Sequence, residues 1–146
     1  MSEDRHIDPE RAAFEEFKAL PRGESIDMLN LVRFRALAAY PDDHPRHGAG
    51  LSGAEAYRLY SQESAPVFAR AGGSIVWSAA PRLVLIGPAE EHWDAVFVAR
   101  YPSASAFLEM VVNEEYRKAV VHRQAAVATS RLIRTSARQG SGPAFG

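Results

Sequence analysis

The 146-residue chain contains no cysteine. That absence removes disulfides, thiolate zinc sites, iron–sulfur clusters and a cysteine nucleophile at one stroke. Long hydrophobic runs are also missing. The apolar stretch Arg82–Ile86, held between Pro81 and Gly87, falls far short of the roughly 20 apolar residues that cross a bilayer as a helix. The first six residues are polar and carry no apolar core of a secretion signal, so a cytoplasmic protein away from membranes is expected. Nor is there an excess of one charge. Seventeen Lys and Arg against eighteen Asp and Glu leave a net charge of −1, which excludes the clustered positive surface that nucleic-acid binding requires. No P-loop, nucleophile elbow, S-x-x-K or deaminase signature occurs.

What is present is an ordinary globular balance, 47% hydrophobic and 24% charged, in a chain of single-domain length. Residues 1–7 are expected to be disordered, 8–137 to form one domain, and 138–146, rich in Gly, Ser and Pro, to be a flexible tail. Asp8 and Pro9 suit the start of a helix running to Leu20, with Phe14 and Phe17 on its apolar stripe. Ile26–Arg35 alternates as a strand. Met28, Asn30, Val32 and Phe34 share one face, and Leu29, Leu31, Arg33 and Arg35 share the other. Ser52-Gly-Ala-Glu55 reads as a capping box that opens a helix to about Ala71, kinked at Pro66 and closed by Gly72-Gly73. Ser74–Ala80 and Arg82–Ile86 read as one strand interrupted or bulged near Pro81, forming a hairpin with Trp93–Tyr101. Ser103 and Asn113 cap two further helices, to about Val112 and Ala128, and Thr129–Ser136 is a last strand.

After the first helix the order is β-α-β-β-α-β, with the second α split. This is the ferredoxin-like arrangement of one antiparallel sheet with helices on one face, an α+β fold. Several strands carry apolar residues on both faces, so the open face should meet a second copy of the same sheet.

Few residues suggest chemistry. Asn30 is polar between Met28 and Val32 and must find partners if buried. It either ties the sheet to a neighbouring segment or points into a pocket between sheet and helices. Tyr57 and Tyr60 are helical neighbours, and Trp77 lies on the second strand; they are either core or an aromatic pocket wall. Arg33 faces away from Asn30, where it either forms an ion pair or attracts an oxyanion in a pocket on that second face. Arg123 should pair with a carboxylate such as Asp94 or Glu63, or else face a ligand. His122 is either a partly exposed helix histidine or an acid–base group. Gly48-Ala-Gly-Leu-Ser-Gly53 matches G-x-G-x-x-G, but a long loop separates it from the strand, so it is read as loop and helix entry rather than a dinucleotide site. His44-Pro-Arg-His47 lacks a third ligand nearby, and no metal or cofactor is expected.

Met28-Leu-Asn-Leu-Val-Arg-Phe34, Ser52-Gly-Ala-Glu-Ala-Tyr57 with Tyr60, Gly72-Gly-Ser-Ile-Val-Trp77, Trp93-Asp94, Tyr101-Pro-Ser103 with Phe107, and Tyr116 with His122-Arg123 follow one another in order. This series resembles the domain of unknown function 1330 family, of the dimeric α+β barrel superfamily, over about Asp8 to Thr135. The resemblance implies a homodimer whose sheets face each other, and it supplies no activity, because the superfamily spans enzymes and binding domains. The resulting expectation is a homodimer that binds a small organic molecule between sheet and helices. The alternative is a cofactor-independent monooxygenase or isomerase acting on a small aromatic or acyl substrate. A plain interaction module would follow if side chains filled that space.

Overall fold

A computed structural model describes residues 5–138. Of the segments expected to be a disordered N-terminus, 1–7, and a flexible tail, 138–146, residues 1–4 and 139–146 lie outside the described residues. The elements are α1 (Arg11–Ala19), β1 (Ile26–Phe34), α2 (Gly53–Arg70), β2 (Ser74–Ala79), β3 (Ala95–Tyr101), α3 (Ala104–Val111), α4 (Glu114–Ala126) and β4 (Val127–Thr135). The strands form one sheet in the order β2-β3-β1-β4 with every pair antiparallel. This is the α+β, ferredoxin-like fold read from the element order. No helix among the described residues is long and apolar enough to cross a membrane.

The capping chemistry holds at three helices. Ser52 Oγ accepts from Glu55 N while Glu55 Oε1 accepts from Ser52 N, a complete capping box. Ser103 Oγ accepts from Ala106 N, and Asn113 Oδ1 accepts from Glu115 N. Gly72, at φ +82°, takes the left-handed turn that ends α2. The first helix differs from expectation. It is capped at Glu10 without a side-chain bond, and Asp8 instead accepts from Gln124 Nε2 on α4. The chain before α1 thus runs across the domain: Ser130 Oγ donates to His6 O, and an arginine of α4 donates to Ile7 O. Residues of α2 continue past Pro66 for another turn to Arg70.

The hairpin also departs from the sequence reading. β2 stops at Ala79, and Arg82–Ile86 is not strand but part of the connection to β3, with Leu85 84% and Ile86 93% exposed. Pro81 removes a ladder donor at the point where the strand would have to continue. The irregularity lies not at Pro81 but between Ile75 and Trp77.

Two apolar clusters fill the ends of the sheet–helix layer. One gathers Ile26, Met28, Val67, Ala99, Tyr101, Ala104 and Met110, with Phe17 of α1 and Phe107 against it. The other gathers Val32, Tyr40, Ala56, Tyr57 and the Ala125–Val127 turn. Met28 and Val32 belong to different clusters, and Asn30 lies between them on the same strand face.

On the opposite sheet face Asp27 takes a two-pronged bond from Arg100, with Nε to Oδ1 at 2.7 Å and Nη2 to Oδ2 at 3.0 Å. Hydrogen bonding from Arg100 holds the Asp27 carboxyl below the usual carboxylate range, against the opposing effect of burial. A lowered folded-state value means that the pair stabilises the fold fully above the unfolded value of about 3.9 and ceases to do so as pH falls through the folded value. Asp27→Asn should therefore lower the denaturation midpoint by a constant amount between about pH 5 and 7, and the difference from the parent should shrink below about pH 4. Urea titrations of both proteins across that range check the expectation.

Candidate functional site

Between the sheet and its helices lies a cavity of about 880 Å³. It sits where the two apolar clusters leave the middle of the layer unfilled. Phe14 and Phe17 of α1, Met28 of β1, Phe97 of β3, Phe107 and Met110 of α3 and Val120 of α4 supply its apolar wall. Asn30, Tyr57, Tyr60, Tyr116, Ser130 and Arg123 are among its polar groups, with His6 and Asp8 at its edge. Space of this volume is within the range of small-molecule sites, which combine apolar walls with a few placed polar groups.

Asn30 is 9% exposed and its Nδ2 donates to Met28 O at 3.1 Å. That bond fixes which end of the carboxamide is oxygen. Oδ1 accepts nothing from the described residues, and it is not sealed off: among them Arg35 Nε is the fully enclosed side-chain polar atom without a partner. The acceptor therefore meets the open space of the cavity.

The tyrosines form a connected rim. Tyr60 Oη and Tyr116 Oη are 2.9 Å apart, and the Tyr57 and Tyr60 rings lie 5.3 Å apart. Burial pushes the Tyr57 hydroxyl well above the usual phenol range; Tyr60 adds to this, and the adjacent Arg123 guanidinium opposes it. Burial does the same to Tyr116, aided by Tyr60. These hydroxyls stay protonated at neutral pH and act as hydrogen-bonding groups rather than as bases.

Arg123 approaches from α4. Its guanidinium donates to Ile7 O and, at 3.1 Å, to Ser130 Oγ. The expected carboxylate partner is absent among the described residues: Glu63 bonds His122 and Asp94 accepts from Phe34 N. The physical reason is helical geometry. His122 and Arg123 are about 100° apart around α4, so only one of them can face α2 at Glu63.

The structure brings Asn30, Tyr57, Tyr60 and Arg123 to one cavity; it does not bring Trp77, Arg33 or His122 there. Trp77 pairs with Val98, as does the outward-facing Leu29, because the bulge after Ile75 shifts the register by one residue. Such a slip sends a side chain to the other sheet face, so Ile75 lines the cavity and Trp77, 53% exposed, does not. Arg33 lies on the outer face by strand alternation. His122 is buried on the far side of α4. Its Nδ1 is 2.6 Å from Tyr40 Oη and its Nε2 2.9 Å from Glu63 Oε2, with the His44 ring stacked on Tyr40 at 4.6 Å. Sequence inspection missed this Tyr40–His122–Glu63 chain because its members come from a loop, α4 and α2, with no short spacing to mark them. Neither His44 nor His47 belongs to any group of three metal-ligating side chains among the described residues.

Comparison with known proteins agrees with this architecture. The model of the domain of unknown function DUF1330 matches residues 51–135, and the chain belongs to that family. A crystal structure of a protein of unknown function from Rhodopseudomonas palustris is 51% identical, with 93% of this chain and 99% of that one covered at a TM-score of 0.85. A crystal structure of its methylated form gives 50% identity over 95% and 99% of the two chains at 0.87. A cofactor-independent oxygenase from Streptomyces nogalater is similar in fold, at 17% identity over 80% and 96% of the chains with a TM-score of 0.50. A search of curated proteins gives no match.

Proposed function

We propose that this protein is a homodimer that binds a small organic molecule in the cavity between its sheet and its helices. The observation that carries the reading is Asn30. It places a largely buried carboxamide oxygen, with no donor among the described residues, on the cavity wall, where a ligand's donor can replace water as its partner. Binding is put ahead of turnover because His122, the acid–base candidate of the sequence, is turned to Tyr40 and Glu63 rather than to the cavity. The relation in fold to a cofactor-independent oxygenase keeps an oxygenase or isomerase reaction as the second reading. It would proceed on Asn30, the tyrosine hydroxyls and Arg123, with His6 and Asp8 also on the cavity wall.

The dimer reading rests on the outer sheet face. Trp77 and Ile133 are 53% and 45% exposed there, and Leu83 in the β2–β3 connection is 78% exposed. A symmetric pair of such faces would remove this apolar surface from water. Sedimentation should give about twice the 16.0 kDa chain mass at micromolar concentration; a stable monomer would contradict the dimer.

The cavity is tested with the neutral dye N-phenyl-1-naphthylamine. Its fluorescence should rise saturably to one dye per chain. Ala65→Trp, which fills the cavity wall from the exposed side of α2, should weaken binding about tenfold or more. Unchanged binding in a folded Ala65→Trp protein would place the dye elsewhere, and the absence of any rise would remove the cavity as a binding site.

A further inference from the structure

Charge is distributed unevenly around the cavity. The whole chain has one more acid than base. The described residues that line the cavity include four arginines, Arg117, Arg123, Arg131 and Arg134, and a single acid, Asp8. The most informative of these is Arg123. It is half-buried, and its partners among the described residues, the Ile7 carbonyl, the Ser130 hydroxyl and the Tyr57 hydroxyl, are uncharged. Among the described residues, Arg134 likewise donates to the carbonyls of Phe17 and Pro21. A guanidinium held away from bulk water by neutral acceptors keeps its positive charge uncompensated, and a low-dielectric cleft concentrates the resulting field on whatever enters it. Asp8 does not cancel it: its carboxylate accepts from Gln124 and makes no ion pair with Arg123.

The rest of the wall sets the other half of the requirement. Much of the remaining wall is apolar, made by Phe14, Phe17, Phe97, Phe107, Met110 and Val120. A small hydrophilic anion would leave that surface unmatched. The geometry points to an amphiphilic organic acid as the ligand: a carboxylate placed at Arg123 and Tyr57, followed by an extended apolar body lying toward Phe17, Phe107 and Met110. Guanidinium suits the head group because it can present two parallel donors to one carboxylate. Tyr57, a protonated hydroxyl beside Arg123, adds a third donor.

This assignment rests on the cavity reading above, and the two fail in different ways. The probes are sodium dodecanoate and dodecanol, which share an apolar chain and differ in charge, titrated below their aggregation limits into the parent protein carrying the neutral dye. Dodecanoate should displace the dye with at least about tenfold higher affinity than dodecanol, and added salt should reduce that preference. Arg123→Gln should bring the two affinities together by weakening dodecanoate far more than dodecanol. Tyr57→Phe, which keeps the ring and removes only the hydroxyl, should weaken dodecanoate more than dodecanol, and it covers the case in which Arg123→Gln loosens the segment at Ile7. Equal affinities for the two probes in the parent, or a preference that survives both substitutions, would overturn the anion assignment and leave the cavity as a binding site. Failure of the dye and both probes to bind would overturn the cavity reading itself.

Discussion

Gly53→Ala is expected to destabilise the protein by about 3 kcal/mol, at the upper end of what overpacking costs. The sign is the informative part. Alanine in place of glycine inside a helix normally stabilises it by roughly 0.8–1.0 kcal/mol. Here a Cβ on Gly53 would stand 2.1 Å from Arg35 O and 2.7 Å from Ala126 O, both backbone atoms that have no rotamer to yield with. Gly53 N also donates to Arg35 O, so the start of α2 is tied to the chain leaving β1 and cannot back away. The last glycine of the G-x-G-x-x-G string is thus a packing requirement where helix, strand end and the α4–β4 junction meet. Thermal unfolding should show a fall of roughly 6–12 °C for a domain of this length. An unchanged or raised midpoint would mean that the close approach is not a feature of the folded protein.

His122→Ala should cost a comparable amount, about 3 kcal/mol. The ring is 4% exposed and both nitrogens are engaged, one with Tyr40 and one with Glu63. Removing it leaves the Tyr40 hydroxyl, itself in a residue only 6% exposed, without its partner and opens a void beside it. Burial already pushes the Tyr40 hydroxyl above the usual phenol range, so it stays protonated and depends on an acceptor such as the His122 ring. Tyr40→Phe removes the same hydrogen bond from the other side and should be the milder change, because the ring is kept and no large void opens, although His122 Nδ1 loses its partner. The double variant should lose less than the sum of the two single losses, as expected for partners in direct contact. Binding of the dye in the cavity should be unaffected in any of these proteins that remain folded. A large loss of cavity binding with little loss of stability would instead mark His122 as part of the site.

The legible parts of the structure are those governed by local rules. Ser52 with Glu55, Ser103 and Asn113 announce helix starts because a capping bond spans only three residues. The alternation of Trp93–Tyr101 and Ile26–Arg35 announces strands because pleating has a period of two. From these the element order followed, and with it the sheet. Asn30 could be singled out because its polarity conflicts with Met28 and Val32, and it does line the cavity. Trp77 could not be placed because a one-residue bulge reverses every face beyond it and leaves no mark in residue type. Arg82–Ile86 looks like a strand because apolar runs resemble one another whether or not a neighbour exists to pair with. Arg123 was expected to find a carboxylate, but the choice among Asp94, Glu63 and backbone acceptors depends on which helix face meets which element. The Tyr40–His122–Glu63 chain is illegible for the same reason.

The cavity as a small-molecule site is the central claim, and the methionines offer its most direct test. The chain has three. Met28 and Met110 line the cavity from β1 and α3, whereas Met1 lies outside the described residues. Protein labelled with carbon-13 at the methionine methyl groups should be titrated with the neutral dye and then with dodecanoate. The Met28 and Met110 signals should move saturably with both. If both ligands bind by fluorescence or displacement while the Met28 and Met110 methyl signals stay where they are, the molecules are bound elsewhere and the account of this cavity is wrong.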